Sequence, residues 1–138
     1  MGEAGASRVL LDTNVCIALL RERPAAVRRA AAYGPSALVI ASITEAELHY
    51  GIPNSATPAT TGLRTELLLR TLGGVLPFDR AAARAHAAAR HALRRQPIGD
   101  RDLVIASVAL AHGLRVATGN VREFGRVPGL AVEDWGAG

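Results

Sequence analysis

The chain has 138 residues, a length that suits one domain. Its 16 basic residues are all arginine, set against 12 acidic ones for a formal net charge of +4. The absence of lysine excludes Schiff-base catalysis, a phosphate-binding P-loop and the receiver-type acidic pocket with a lysine beside it. A hydrophobic fraction of 49%, with 27 alanines, excludes a disordered or low-complexity chain. Arginine-only basicity fits a GC-rich coding sequence; it also fits phosphate recognition, for which the planar guanidinium fork is well shaped. The single cysteine, Cys16, stands in the apolar run Val15–Leu20, has no internal disulfide partner and reads as a core residue. No apolar stretch approaches the roughly 20 residues of a membrane span. The opening MGEAGAS lacks the charged and apolar regions of a signal peptide, and residues 1–7 read as a flexible extension. A cytoplasmic protein with no membrane partner is expected.

In chain order, Val9-Leu10-Leu11 reads as a buried strand that ends at Asp12. A helix follows from Asn14 to about Leu20, and a second from Pro24 to about Ala32, broken by Gly34-Pro35. Ala37 to Ala41 is a second buried strand. Ser42-Ile43-Thr44-Glu45 matches a capping box and predicts a helix to about Gly51. Residues 53–62 form a polar loop, Leu63 to Leu72 a helix, and Val75-Leu76 a short strand. Asp79 is placed to cap a long helix reaching Arg95, with Ala81, Ala85, Ala88 and Ala92 as its packing face. A further helix opens at Asp100 and closes at His112-Gly113, where glycine suits the C-terminal turn. Arg115 to Thr118 is a strand, and Leu130 to Glu133 a final one. Strands alternating with helices imply βαβ units, hence a single α/β domain with a central parallel sheet flanked by helices.

Ligands of open parallel sheets bind beyond the carboxyl ends of the strands, and Asp12 stands at such an end. It is equally well placed to cap the helix after it. With Glu45 consumed by the capping box, Glu47 is the carboxylate left among Ile43, Ala46, Leu48 and Tyr50. Asp100 and Asp102 lie about 200° apart on one helix and cannot share a face, so Asp100 is expected to cap and Asp102 to face the strand ends. Asn120 and Glu123 follow the strand that ends at Thr118 and reach the same edge. Carboxylates converging there form an anionic site that is costly without a cation, and oxygen-only donors suit Mg²⁺ or Mn²⁺ rather than zinc. If Asp12, Glu47, Asp100, Asp102 and Glu123 all gather there, the remaining surface is far more basic than the net charge suggests.

These segments resemble, in order and over nearly the whole chain, the PIN domain of VapC-type toxins. The resemblance is carried by Leu11-Asp12-Thr13-Asn14, by Ser42-Ile43-Thr44 with Ala46-Glu47-Leu48 and Tyr50-Gly51-Ile52, and by Pro97-Ile98-Gly99 with Asp102. It continues through Ile105-Ala106, Ala111-His112-Gly113-Leu114, Thr118 to Phe124, Val127-Pro128-Gly129-Leu130 and Glu133-Asp134-Trp135. The resemblance implies one PIN-like domain over residues 1–138 and a metal-dependent endoribonuclease of a bacterial toxin–antitoxin pair. It matches Asp12, Glu47 and Asp102 to the family's three acidic positions that hold Mg²⁺ or Mn²⁺. The fourth falls on Asn120, which carries no charge, with Glu123 close enough to supply a carboxylate. Metal-activated water would attack phosphorus in line without a covalent intermediate. Thr13, Asn14 and Thr118 are expected to position ligands or phosphate; turn and cap chemistry explains the same residue types. The implied partners are an RNA substrate, a VapB-like antitoxin lying in a groove near the site, and a second copy in a homodimer. A PIN-like scaffold that binds RNA without cleaving it is the alternative, favoured by the charge lost at Asn120.

Arg80, Arg84, Arg90, Arg94 and Arg95 make a basic helix face, either solvated or tracking an RNA backbone. The four histidines (49, 86, 91 and 112) lack ligand spacing, and Trp135 is expected to cover a sheet edge. A DxD phosphatase is excluded because Asn14 replaces the second aspartate, and dinucleotide binding because no GxGxxG occurs.

Overall fold

A computed structural model of the chain describes residues 7–136. The extension expected over residues 1–7 therefore lies outside the described residues, apart from Ser7. Three fully buried residues form β1 (Val9–Leu11), and four more form β2 (Leu38–Ala41). Each strand alternates sides: Val9, Leu11, Leu38 and Ile40 join one core cluster, and Leu10, Val39 and Ala41 the other. Such strands, apolar on both faces, are what a parallel sheet covered on both sides requires. Burying one of these larger side chains contributes roughly 1.5–3 kcal/mol.

β3 (Gly74–Leu76), β4 (Arg115–Thr118) and β5 (Val132–Asp134) complete a five-stranded sheet of order β3-β2-β1-β4-β5. Every pairing is parallel. The chain winds from β1 to β2 and β3 on one side, then crosses to β4 and β5 on the other. The direction reverses between β1 and β4, where α/β sheets open a crevice at their carboxyl ends. β5 starts two residues later than expected, with Val132 opposite Val116.

The helices are α1 (Thr13–Leu20), α2 (Pro24–Tyr33), α3 (Ser42–Gly51), α4 (Pro58–Thr71), α5 (Arg80–Ala92), α6 (Asp100–His112) and the short α7 (Val121–Phe124). No helix among the described residues is long and apolar enough to cross a membrane. Cys16 is fully buried, as expected. α4 begins at Pro58, inside the expected loop, because proline suits the first helical position, where its missing N–H is no loss. The helix α7, capped at Asn120, is too short to carry a periodic signal in the sequence.

The capping box expected at Ser42 does not form. β2 stays paired through Ala41, opposite Leu76, and α3 starts at the next residue, so Ala41 stands at the N-cap. Glu45 instead meets His49 one turn later, at 3.0 Å. Asp79 does cap α5, accepting a 3.0 Å hydrogen bond from the Ala82 N–H, but the helix stops at Ala92 rather than Arg95. Its packing face is also rotated from the expected one: Ala82, Ala89 and Leu93 are buried, while Ala81, Ala88 and Ala92 are exposed. Alanines on every side of this helix carry no periodicity from which the face could be read.

At the edge, Gly73 turns into β3 by donating its N–H to the Leu38 carbonyl at 2.7 Å. A Cβ on Gly73 would stand 2.1 Å from the backbone oxygen of Ser36, whereas one on Gly51 would meet nothing. Gly73→Ala is therefore expected to lower stability by about 1–3 kcal/mol in thermal denaturation, with Gly51→Ala as the neutral control.

Candidate active site

Asp12 follows β1 directly and is 3% exposed, with its N–H donating to the Ala117 carbonyl of β4 at 3.0 Å. It occupies the N-cap position of α1 without making a side-chain cap. Its Oδ2 instead accepts a 2.7 Å hydrogen bond from the Thr118 hydroxyl at the end of β4. Burial pushes the Asp12 carboxyl above its ordinary range, against the pull of the Thr118 hydroxyl and the Thr13 and Asn14 amides.

Asp102 comes from α6, which runs against the strands and so delivers its first turn to their carboxyl ends. Gly99, not Asp100, is the N-cap of this helix. Asp100 is exposed and makes no cap, because it already lies inside the first turn, and it does not enter the site. Asp102 does face the site: the Asn120 amide donates to its Oδ2 at 3.4 Å. Burial, then the charges of Asp12 and Glu123, raise the Asp102 carboxyl to about 6. Glu123 accepts the Gly99 N–H at 3.2 Å through Oε1, which ties α7 to the start of α6. Thr118 also accepts the Asn120 N–H at 2.8 Å, so one hydroxyl orders both Asp12 and the turn after β4.

Glu47 sits in the second turn of α3, half-buried, and pairs with the Arg101 guanidinium next to Asp102. It thus stands at the rim, turned toward arginine rather than toward Asp12. Among the described residues no three carboxylate, imidazole or thiol side chains are arranged to hold a metal ion. The expected gathering of Asp12, Glu47, Asp100, Asp102 and Glu123 is therefore reduced to Asp12, Asp102 and Glu123, with Glu47 beside them. Thr13 bonds the buried Thr44 hydroxyl at 3.0 Å, which locks the first turn of α1 to α3. Asn14 is exposed and lines a cavity of about 430 Å³ with Arg21, Arg23, Gly119, Asn120 and Trp135. Sequence reasoning assigned Arg101 and Arg21 no role; their proximity to the site depends on tertiary packing.

Trp135 covers the sheet edge as expected, 2% exposed and 6.1 Å from the Tyr33 ring. Its indole N–H and the Tyr33 hydroxyl both donate to Glu133, each at 2.6 Å, and Arg29 donates to the Asp134 carbonyl at 2.8 Å. These contacts brace α2, one wall of the cavity, against β5.

A carboxyl that ionises near 4 in the unfolded chain and near 6 in the folded one stabilises the fold at low pH. That contribution is lost as pH rises through 6. Asp102→Asn should consequently melt higher than the parent above pH 6 in the presence of EDTA. Screening limits the gain to the order of 1 kcal/mol, and it should vanish near pH 4; melting scans across this range check it.

The PIN domain family profile matches residues 9–130. The tRNA(fMet)-specific endonuclease VapC of Shigella flexneri is 38% identical over 130 residues, covering 93% of this chain and 98% of that protein. The structure of DNA-bound VapBC from Salmonella typhimurium superposes with a TM-score of 0.85 at 36% identity, covering 94% of this chain and 98% of that one. VapBC2 of Rickettsia felis, bound to a fragment of its promoter DNA, superposes at 0.83 with 27% identity over 92% and 98%. The chain belongs to the PIN-domain family, among its VapC-type toxin ribonucleases.

Proposed function

We propose that this ribonuclease hydrolyses RNA phosphodiester bonds with a divalent cation, Mg²⁺ or Mn²⁺, held by Asp12 and Asp102 and completed by Glu47. The observation that carries the reading is the burial of Asp12 close enough to Asp102 for their charges to oppose each other at the β1–β4 switch point. Like charges held together away from water favour a cation between them, and an all-oxygen donor set suits hard ions. Glu47 fits as a ligand once Arg101 releases it. Such an ion would supply Lewis-acid polarisation of the phosphodiester and activation of the attacking water.

The chain's own residues do the rest. Thr118 fixes the Asp12 carboxylate through Oδ2, and Asn120 orients Asp102 through its amide. Glu123 keeps one oxygen on the Gly99 N–H and the other as a proton acceptor at the edge of the site. Asn14 and Asn120 offer amides to phosphate in the cavity they share, and the Thr13–Thr44 pair holds that wall in place.

The apolar groove between α1, α2 and α4, lined by Leu19, Leu20, Ala30, Leu38 and Leu68, suits the apolar segment of a VapB-like antitoxin. Exposed Tyr50 and Leu63, 70% and 75% accessible, offer a face to a second copy.

Asp12→Asn should keep the circular-dichroism spectrum of the parent. Its cleavage of cellular RNA should fall by more than the roughly 100-fold that loss of an outer-shell partner costs a metal site. EDTA should abolish cleavage by the parent, and Mg²⁺ or Mn²⁺ should restore it; RNA binding without metal-dependent products would sink the reading. Arg101→Ala, by freeing Glu47, is expected to tighten Mn²⁺ binding in calorimetry by a factor of a few, the scale of an exposed ion pair.

A further inference from the structure

Between α1, α3 and α4 lies a second cavity of about 460 Å³, and Glu47 is part of its wall. Glu47 is thus common to this cavity and to the rim of the site above. Five hydroxyl side chains line it, those of Ser55, Thr57, Thr60, Thr61 and Thr65, over an apolar base that includes Leu20 and Leu48. Ser55 and Thr57 precede α4 and the other three lie on it, and the junction is tied from within: Ser55 and Thr61 share a 2.6 Å hydrogen bond, and the Thr57 N–H donates to Ser55 at 3.1 Å. Thr65 is 1% exposed, and its hydroxyl has no hydrogen-bond partner. A buried hydroxyl left unpaired is costly and calls for a reason.

Arg21 adds a second observation. It lines both this cavity and the one shared by Asn14 and Asn120, so it stands between them. No ion pair engages it among the described residues, whereas Arg64 nearby is bound to the Leu20 carbonyl and Glu22. An uncommitted guanidinium between two clefts, one walled by Asn14 and Asn120 and the other by Glu47, is placed to receive a phosphate.

Volume and chemistry together favour one occupant. Proteins that read RNA splay unstacked bases into side cavities and bind their edges by hydrogen bonds. A space of this size takes a nucleobase with its sugar. Hydroxyls both donate and accept, as the mixed edge of a base requires, and the apolar base of the cavity suits its flat face. We propose that the cavity is a base-recognition subsite, resting on the ribonuclease reading of the Asp12 site. The nucleotide adjoining the scissile phosphate turns its base into the cavity, Thr65 contributes to reading its edge, and Arg21 holds the phosphate between the two clefts.

The test compares the parent with Thr65→Val, which removes the hydroxyl at nearly constant shape, and with Arg21→Gln. Cleavage sites on total cellular RNA are mapped with Mg²⁺ present, and kcat and KM are measured separately. In parallel, a short fluorescein-labelled RNA of randomised sequence is titrated against Asp12→Asn protein with and without each change. Thr65→Val is expected to shift base preference at one position beside the cut by roughly fivefold, with the melting temperature kept or raised. Arg21→Gln is expected to raise KM several-fold across all sequences and to weaken binding of the labelled RNA equally. An unchanged cleavage map and KM in both variants overturns the proposal. So does a loss confined to binding of an antitoxin peptide, which would assign the cavity to a protein partner. If the parent cuts nothing, the catalytic reading fails on its own, and the binding titrations still decide the subsite: weaker binding with Arg21→Gln supports it, and equal binding overturns it.

Discussion

A carboxylate taken almost wholly out of water destabilises a fold unless something local compensates, and Asp12 is where this chain accepts that cost. Compensation comes from the register between β1 and β4. With Leu11 opposite Ala117, the next residue of each strand projects at the same edge, and the Thr118 hydroxyl meets the Asp12 carboxylate. The same hydroxyl takes the Asn120 N–H, so the turn after β4 is set by the acid it supports. Asn120 then reaches Asp102, and Glu123, one turn further, steadies the start of α6. From two adjacent strand ends the arrangement of the site follows, and it requires the sheet to reverse direction there.

Much of this was legible in the chain because the signals are local. Runs such as Val9-Leu10-Leu11 and Leu38–Ala41 are too short and too apolar to be anything but buried strands. Gly113, with φ of +65°, ends α6 where a glycine was expected. Misreadings occurred where two local rules competed or where none applied. Ser42 and Glu45 have the residue types of a capping box, but strand pairing through Ala41 leaves no residue outside the helix to act as the cap. In α5, alanine on every face left the packing side undetermined until α6 was in place. That Asp12, Asp102 and Asn120 share one edge was legible because strand ends and helix starts are sequence features. The diversion of Glu47 to Arg101 is a contact between α3 and α6, 54 residues apart, which no local pattern encodes.

The charge balance takes on a spatial meaning. The mild net charge of +4 averages an acidic edge at Asp12, Asp102 and Glu123 with arginines spread elsewhere, among them Arg101 at its rim, Arg21 in the neighbouring cavity and the exposed residues along α5. Such a distribution attracts a polyanion to the rim while repelling it from the centre. Because the basic residues bordering the site are arginines, the rim keeps its positive charge at every physiological pH.

The outermost strands, β3 and β5, are three residues each. The border of β5 is closed off by the clamp that Tyr33, Trp135 and Arg29 form around Glu133 and Asp134. Open sheet borders are templates for extending the sheet with foreign chain, in aggregates or in partners that bind by adding a strand. Here both borders are short, and that of β5 is encumbered as well. Short borders of this kind leave the helical faces and strand ends as the larger surfaces for binding partners, and give self-association little edge along which to spread into a fibre.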